Sequence, residues 1–556
     1  MENMDSTADD RPRPARDARV PGGVVVTASA VAAAVGAGEL VAAVVAPGSS
    51  PFGAVGDAVV RLAPPWAVEF GKSLTVPGLA AGVADKLALQ LGIAGLLLAA
   101  AVIGGLGARR RPVIGAVVVG LLGVLGLAAA ATSPVFRPPQ LLAPAAALGV
   151  GLATLGWLNR RGRPPEGGPK PGGAKPGGPK PGGAGWRGVR RRTLLRWSAG
   201  VGLAAAGTAV AGPASVRAVV GADAFGRLFG SRADPAARAL AARLAAARPA
   251  TPIPPGADFA AAGTPPFLTP NPDFYRIDTA LRVPALSATD WSLRVHGMVE
   301  RELRLDYRQL LARPLVDRPI TLTCVSNEVN GPLISTAVFT GVELAPLLRE
   351  AGPRPGADQL LSTSVDGWTA GTPMDVLLEP GRGALLAVAM NGEPLPAEHG
   401  YPARMVVPGL YGFVSATKWL TDLELTTFAD RRAYWLDRGW ARAAPIKTQS
   451  RIDRPRGFQV IPAGPLTAAG IAWAQPHGIA GVEVRLDDGP WRPATLSAEV
   501  GGHTWRMWRA DLGVAPGSHF ISCRATDRRG LRQPAEPAPP IPDGAQGWPV
   551  INFTAR

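Results

Sequence analysis

The sequence predicts a multi-domain protein with an α-helical transmembrane region at the N-terminus, an α+β domain, and a β-sandwich at the C-terminus. The first 212 residues consist mainly of Ala, Val, Leu and Gly with clustered arginines, a composition typical of membrane-spanning segments. All five histidines, both cysteines and most tryptophans lie in the C-terminal half, as expected for a water-soluble region. From about residue 441 onwards, short strand-like segments alternate with turns, which favours a β-sandwich.

The N-terminal domain, residues 1–162, is predicted to be a membrane anchor of four helices. Four apolar segments are each long enough to cross the hydrocarbon core of a bilayer. They span residues 24–46, 87–106, 113–131 and 141–158. The first segment contains Glu39, which would be costly at the centre of a bilayer and would normally face the interior of a helix bundle. Glu39 is either a proton or partner site or a tolerated, packed carboxyl.

The net charge of +16 is explained by membrane topology better than by nucleic-acid binding. Much of the positive charge lies in short arginine clusters beside the apolar segments, at residues 11–19, 109–111, 160–163 and 187–196. Such clusters stay in the cytoplasm, so we expect a multi-pass protein of the cell membrane with a cytoplasmic N-terminus. No basic stripe with interleaved aromatic residues runs through the C-terminal half, so membrane lipid is expected as a partner and nucleic acid is not.

Three segments connect the anchor to the soluble half. Residues 163–189 repeat Gly-Gly-Pro-Lys-Pro-Gly-Gly and form a flexible, extended linker. Residues 190–212 contain the hexapeptide Arg-Arg-Thr-Leu-Leu-Arg followed by an apolar stretch, which we expect to be a fifth helix. The hexapeptide is either a twin-arginine export signal or the ordinary basic flank of a helix that leaves the cytoplasm. Residues 213–264 form a spacer, with a predicted surface helix at 234–247.

Two segments of the soluble half carry the candidate chemistry. Residues 320–324 read Ile-Thr-Leu-Thr-Cys, a β-branched strand that ends at Cys324, and the loop 325–331 follows. Residues 399–412 read His-Gly-Tyr-Pro-Ala-Arg-Met-Val-Val-Pro-Gly-Leu-Tyr-Gly. By itself, Cys324 is either core filler or a functional thiolate, because two distant cysteines give no disulfide framework.

These segments resemble the cysteine loop and the pterin-binding segment of the sulfite oxidase family of molybdenum enzymes. The resemblance runs from about residue 265 to the end and implies a sulfite-oxidase-type molybdopterin-binding domain at 265–440. It implies molybdenum–molybdopterin as the cofactor and Cys324 as catalytic residue and metal ligand, in keeping with the metal's preference for a soft, anionic ligand. The residues implied in cofactor binding are Asn271, Tyr275, Arg276, Asp366, His399, Arg404, Ser415, Thr417 and Lys418.

Some of these assignments have alternatives that the sequence leaves open. Arg404 and Lys418 suit the phosphate of the pterin, with the arginine in fork geometry. Asp366 is either part of the site or a turn-former. Tyr411 is either pocket wall or core, and Cys523, in an alternating strand, is interpreted as packing.

One departure from the family pattern concerns the substrate. Sulfite-oxidising members carry a cationic pocket, including an arginine shortly after the ligand cysteine. Here Cys324 is followed by Val-Ser-Asn-Glu, and the next arginine is Arg349. An anionic substrate would meet Glu328 instead of a cation if that side chain faces the pocket, unless Arg276 supplies charge from another loop.

The C-terminal domain, residues 441–556, resembles the immunoglobulin-like dimerisation domain that follows the cofactor domain in this family. The resemblance implies a homodimer, whereas a generic sandwich in a membrane-tethered chain leaves a monomer open.

The sequence thus predicts a membrane-anchored, extracytoplasmic molybdenum–pterin oxidoreductase that performs two-electron oxygen-atom transfer on a small substrate, sulfite or an S- or N-oxide. No haem is expected, because the membrane half has no histidine and the chain has no CxxCH site. Iron–sulfur and flavin motifs are also missing, so electrons would pass to or from a separate electron-transfer protein. The alternative is a non-enzymatic, membrane-tethered envelope protein with a degenerate cofactor domain.

Overall fold

The computed structural model describes residues 22–45, 50–64, 84–108, 111, 113–133, 138–162, 235–247, 252–259, 263–280, 283–284 and 286–556. The described residues form two compact units, one containing the apolar helices and the other containing everything from residue 235 onwards. The predicted linker at 163–189 and the twin-arginine-like segment with the fifth helix at 190–212 lie outside the described residues.

Apolar helices dominate the first unit. The described helices are α1 (Gly22–Val45), α2 (Pro51–Leu62), α3 (Ala84–Gly107), α4 (Val113–Ala131) and α5 (Leu142–Gly162). Among the described residues, α1, α3, α4 and α5 are long and apolar enough to cross a membrane, which confirms the four predicted spans. Small residues allow close helix packing: a Cβ on Gly151 of α5 would lie 3.0 Å from atoms of both Ala34 and Val119. The short helix α2 was not predicted.

Glu39 lies near the C-terminal end of α1 and away from its centre. Its carboxylate is buried and accepts a hydrogen bond from the hydroxyl of Ser50. The Ser50 hydroxyl in turn accepts from the backbone N–H of Gly53, 2.9 Å away, in the first turn of α2. The contact therefore favours the packed carboxyl among the two interpretations of Glu39, because the side chain links α1 to the start of α2.

The cofactor half of the second unit is β-rich, with short helices between its strands. One sheet has the order β2-β1-β10-β5-β6, and the other has the order β3-β4-β7-β8 with β9 paired to β7. Only the β1–β10 pair in these sheets is parallel. The strands are β1 (Ser292–Gly297), β2 (Leu303–Asp306), β3 (Val316–Thr323), β4 (Ile334–Glu343), β5 (Gln359–Ser364), β6 (Thr369–Pro373), β7 (Leu385–Met390), β8 (Glu393–Pro394), β9 (Arg404–Val406) and β10 (Leu420–Thr426).

The helices of this unit are short. They are α6 (Pro235–Ala245), α7 (Tyr307–Leu311), α8 (Leu344–Ala351), α9 (Met374–Leu378) and α10 (Gly412–Ser415). The helix predicted at 234–247 corresponds to α6, and the strand predicted to end at Cys324 corresponds to β3. A capping box explains the start of α7, because the Asp306 carboxylate accepts from the Gln309 N–H while the Gln309 side chain accepts from the Asp306 N–H.

The C-terminal part consists of two sheets over one shared core. Their orders are β11-β13-β17-β16 and β12-β19-β18-β14-β15. The strands are β11 (Gln449–Arg454), β12 (Val460–Ile461), β13 (Gly464–Trp473), β14 (Ile479–Leu486), β15 (Arg492–Pro493), β16 (Thr495–Leu496), β17 (Arg506–Val514), β18 (Gly517–Asp527) and β19 (Val550–Ala555). Trp508 of the first sheet and Ile521 and Phe553 of the second belong to the same hydrophobic cluster, so the sheets face each other. Cys523 is fully buried in that core, where it was predicted to pack.

The C-terminal part also supports the strand that leads to Cys324. Thr321 of β3 donates its backbone N–H to the carbonyl of His503, 3.0 Å away. Its carbonyl accepts from Gln475 Nε2 at 3.2 Å, and its hydroxyl accepts from the N–H of Trp505 at 2.8 Å. The backbone groups at the edge of β3 therefore form hydrogen bonds with loops of the C-terminal sheets instead of with another strand.

Candidate functional site

Cys324 follows β3 directly and lies in a closed loop. Its side chain is buried, and its N–H donates to the carbonyl of Leu333, 3.0 Å away. Its carbonyl accepts from the N–H of Asn327 at 3.1 Å, and Asn327 Oδ1 accepts from the N–H of Leu333 at 2.8 Å. A Cβ on Gly331 would lie 2.6 Å from Asn327 Oδ1, so only glycine permits this closure. The loop thus fixes the position of the thiol.

The same loop is attached to β11 of the C-terminal part. Asn330, with a φ of 64°, accepts at Oδ1 from the backbone N–H of Ile452 at 2.7 Å. The neighbouring Arg451 donates from Nη1 to the carbonyl of Gly331 at 3.3 Å and pairs with Asp453 at 2.8 Å. The cysteine loop is therefore held from both sides, by β3 and by β11.

Tyr275 lies within electrostatic range of both Cys324 and Arg404. Burial raises the pKa of the Tyr275 phenol, the neighbouring Cys324 sulfur raises it further, and the Arg404 guanidinium opposes both. Burial likewise raises the pKa of Tyr411, whose hydroxyl accepts from the N–H of Lys447 at 3.4 Å. Tyr411 is thus buried against the C-terminal part, but the Cys324 sulfur also raises its pKa, so both of its interpretations stay open.

Two cations of the predicted pterin segment are held side by side. Lys418 Nζ donates to the carbonyl of Glu398 at 3.0 Å, and Arg404 Nη1 donates to the next carbonyl, that of His399, at 3.1 Å. A Cβ on Gly400, whose φ is 109°, would lie 3.1 Å from both Lys418 Cα and Arg404 Cβ. Glycine at this position is therefore required for the two basic residues to approach each other.

A third cation, Arg276, is linked to Lys418 through the carboxylate of Asp278. Asp278 Oδ2 lies 3.1 Å from Lys418 Nζ and 2.9 Å from Arg276 Nε. Asp278 and Lys418 are nearly buried, whereas the side chain of Arg276 is 38% exposed. Burial lowers the pKa of Lys418 to about 8, with the Asp278 carboxylate opposing the shift and the Arg404 guanidinium adding to it.

His399 is a neutral imidazole at this site. Its Nε2 lies 3.2 Å from the carbonyl of Asn271, and Phe274 packs edge-on against its ring. Burial lowers its pKa, and the charges of Arg404 and Lys418 also lower it, so that the value is about 3. Because a carbonyl only accepts, Nε2 carries the hydrogen and Nδ1 presents a lone pair.

The remaining predicted residues serve mainly in local contacts. Asn271 Oδ1 accepts from Asn391 Nδ2 at 2.9 Å, and the Ser415 hydroxyl donates to the carbonyls of Leu410 and Tyr411. Thr417 and Ser362 share a hydrogen bond of 2.6 Å between their hydroxyls.

Asp366 Oδ1 accepts from the N–H of Trp368 at 3.2 Å, as a turn-former does. Burial raises the pKa of Asp366, and the nearby Asp278 carboxylate adds to the shift, so Asp366 also borders the cation cluster.

Tyr434 and Asp278 are candidates that sequence reasoning missed. The Tyr434 hydroxyl is buried and has no hydrogen-bond partner among the described residues, and Arg438 Cζ lies 3.7 Å from the centre of its ring. Burial raises the pKa of Tyr434, and the Asp366 carboxylate contributes to the shift. The aromatic residues Tyr434, Trp435 and Trp440, shortly after β10, are the sequence signal from which this region could have been found.

The donor set of the site fits a polar, anionic ligand such as molybdopterin. Within the described part of the chain, Arg404 Nε, His399 Nδ1 and Thr323 Oγ1 are buried without a hydrogen-bond partner. An unpaired guanidinium edge suits a phosphate, and an imidazole lone pair suits a pterin N–H. No group of three His, Cys, Asp or Glu side chains in the described residues could hold a metal by itself, so Cys324 would act with ligands that a cofactor supplies.

Comparisons with known proteins find relatives that match the soluble half of the chain. The family model described as "Oxidoreductase molybdopterin binding domain" matches residues 280–435. The sulfite oxidase of Gallus gallus is 30% identical over 321 residues, which cover 49% of this chain and 69% of that protein. The mitochondrial sulfite oxidase of Macaca fascicularis is 29% identical over 326 residues, and the match spans 49% of this chain and only 58% of that relative. The solved sulfane dehydrogenase SoxCD of Paracoccus pantotrophus is 26% identical, with a TM-score of 0.43, over 48% of this chain and 75% of that one.

Proposed function

The chain belongs to the sulfite oxidase family of molybdopterin-dependent oxidoreductases, and on that premise we propose that residues 265–440 bind molybdenum–molybdopterin and perform two-electron oxygen-atom transfer on a small substrate. The observation that carries the proposal is the buried Cys324 thiol, held by its loop close to Tyr275, which in turn lies close to Arg404. When bound, the cofactor supplies the redox and atom-transfer chemistry, and the protein orients it and shapes the pocket.

Individual residues take distinct roles in this proposal. Cys324 is the protein ligand of the metal, since a thiolate suits a soft site. Arg404, Lys418 and Arg276 hold the phosphate of the pterin, with the free Nε edge of Arg404 directed to it. His399 accepts a hydrogen bond at Nδ1 from the pterin ring, and its position is fixed by donation to the carbonyl of Asn271.

The remaining assigned residues support these groups. Asn271, Ser415 and Thr417 keep their segments in place through the hydrogen bonds described above. Asp366 and Tyr275 border the pocket, where burial keeps the Tyr275 phenol protonated and able to donate.

A neutral S-oxide or N-oxide is the proposed substrate class, in preference to sulfite. The described loop 324–334 contains no arginine, and its Glu328 is exposed. Arg276 of the neighbouring loop is paired with Asp278, and Arg451 beside the cysteine loop is paired with Asp453. Sulfite would thus meet paired cations, whereas a neutral oxide needs no counter-charge.

The four apolar helices support a location of this chemistry at a membrane. We propose that the N-terminal helices anchor the protein and that residues 265–556 lie on the extracytoplasmic side, because the arginine clusters mark the cytoplasmic loops. The C-terminal sandwich, 441–556, is proposed as an immunoglobulin-like domain with a homodimer as one option. A separate electron-transfer protein completes the reaction, since the sequence has no motif for a second redox centre.

Metal analysis of the purified full chain tests the proposal against the non-enzymatic alternative. We expect molybdenum and pterin in near-equal amounts, and loss of bound molybdenum in Cys324→Ser. Cys523→Ser is the matched control, because Cys523 is equally buried but lies in the C-terminal core, where Ser450 contacts it at 3.2 Å. The loaded protein is then assayed with artificial electron carriers for S-oxide and N-oxide reduction and for sulfite oxidation. A chain without molybdenum, or unchanged metal content in Cys324→Ser, contradicts the proposal.

A further inference from the structure

We propose that Asp278 is a positioning residue, which holds Lys418 and Arg276 beside Arg404 so that the three cations form a seat for a phosphate monoester dianion. The inference rests on the function proposed above, because the phosphate is that of molybdopterin. Asp278 lies two residues after Arg276 in the predicted cofactor loop but was not itself predicted, and 140 residues separate it from Lys418.

The geometry assigns this role to one carboxylate. The side chain of Asp278 is only 6% exposed, and a single oxygen, Oδ2, contacts both Lys418 Nζ at 3.1 Å and Arg276 Nε at 2.9 Å. Burying an unpaired carboxylate costs several kcal/mol, so Asp278 is stable there only with its cations in place. Lys418 in turn requires a carboxylate beside it, because its side chain is also nearly buried.

The backbone brings the third cation to the same point. Lys418 and Arg404 donate to the consecutive carbonyls of Glu398 and His399, at 3.0 and 3.1 Å. Arg404 receives no contribution from a carboxylate to its pKa, which burial lowers to about 10. Among the described side chains, Asp278 is the carboxylate in direct contact with Lys418 and Arg276.

Charge balance explains why an acid is needed among these cations. The three cations and Asp278 carry two net positive charges, and a phosphate monoester carries between about −1.5 and −2 near neutral pH. Burial raises the pKa of the neighbouring Asp366, which disfavours a further negative charge there. Without Asp278, three neighbouring like charges would repel one another, and the nearly buried Lys418 would lose its proton more readily. The groups that face Lys418 or Asp278 in this cluster are Arg276, Arg404, His399 and Asp366.

The test measures how firmly the cofactor is retained as the pH changes. The full chain, purified in detergent with its cofactor, is incubated between about pH 6 and about pH 9, and bound pterin and molybdenum are then measured. In Asp278→Asn we expect the pH midpoint of cofactor loss to move downwards, with release at pH 8 on the order of tenfold faster. Asp273→Asn is the matched control, because Asp273 is an exposed carboxylate of the same loop.

A second variant separates positioning from general damage. Adding Lys418→Arg to Asp278→Asn should remove the pH dependence, because a guanidinium stays charged over this range. If Asp278→Asn does not fold, Asp278→Glu replaces it and should keep a midpoint close to that of the unmodified chain. An unchanged midpoint in Asp278→Asn, or pH-independent loss in Asp278→Glu, overturns the inference while the proposed function stands. Failure of the unmodified chain to contain pterin and molybdenum overturns both.

Discussion

His399 illustrates how the surroundings of a single side chain prepare it for one hydrogen-bond partner. Donation from Nε2 to the Asn271 carbonyl fixes the tautomer, and the edge of Phe274 fixes the ring plane. Arg404 and Lys418 both disfavour a positive charge on the ring. The imidazole is thus a pure acceptor at Nδ1 throughout the physiological pH range.

This state of His399 predicts a pH dependence of stability. Its folded pKa of about 3 lies below the unfolded value near 6.5, so the unfolded chain takes up a proton that the folded chain does not as the pH falls below 6.5. His399→Gln should therefore reduce the stability lost between pH 7 and pH 5 by about 2 kcal/mol. Urea unfolding of the full chain in detergent at both pH values measures the difference.

His519→Gln provides a control of opposite sign. Its hydrogen bond to Asp487 raises the pKa of His519, so this residue adds stability at low pH that is lost as the pH rises through the folded pKa. Removing it should increase the loss on acidification. Identical pH profiles for the unmodified chain and His399→Gln would contradict a buried neutral imidazole.

The group of cations around Asp278 shows which site residues could be predicted from the sequence and which could not. His399, Arg404 and Lys418 could be predicted because they belong to one contiguous segment with recognisable spacing. Asp278 and Tyr434 could not, because their importance depends on contacts with residues far along the chain. Asp278 resembles any other loop acid until the fold brings Lys418 to within 3.1 Å of it.

At the scale of elements, the cysteine loop depends on two parts of the chain. The strand before Cys324 was predicted from its β-branched residues, and β3 ends at Thr323 as expected. The attachment of the loop to β11 was not predictable, because side chain–backbone pairing over 122 residues leaves no periodic signal. Similarly, the apolar pattern predicts the strands β13, β14, β17 and β18, but not the order in which they pair.

Asn330 connects the loop to β11 and gives a prediction at this scale. Asn330→Ala removes the acceptor of the Ile452 N–H, which costs about 1–3 kcal/mol when the donor is buried. It also replaces an asparagine, whose short polar side chain favours a φ of 64°, by an alanine, which tolerates this conformation less well. We expect a lower thermal unfolding midpoint and faster loss of molybdenum from the purified chain.

Asn330→Gly separates the two contributions, because glycine tolerates the positive φ but lacks the acceptor. Its stability and metal retention should lie between those of the unmodified chain and Asn330→Ala. Equal metal retention in all three proteins would show that the attachment to β11 is irrelevant to the thiol.

On the scale of the whole molecule, composition was enough to predict the apolar helices, whereas the order in which the strands pair could not be predicted. The four spans follow from length and hydropathy, because a lipid-exposed helix must be apolar along its whole length. The short helix α2 escaped prediction, since twelve residues with an aspartate and an arginine give no membrane signal. The α+β expectation for the cofactor half agrees with its β-rich fold, in which short helices stand between the strands of two sheets.

The direction in which the chain crosses the membrane gives the last prediction. A C-terminal epitope tag should be digested by protease added to spheroplasts with intact membranes, because the arginine clusters keep the N-terminus in the cytoplasm. Replacing both Arg191 and Arg192 with lysine then distinguishes the two interpretations of that hexapeptide. An ordinary basic flank needs only positive charge, so the tag would stay accessible, whereas an export signal that requires the arginine pair would leave it protected. A tag protected in the unmodified chain would contradict the proposed sidedness, whichever interpretation of the hexapeptide holds.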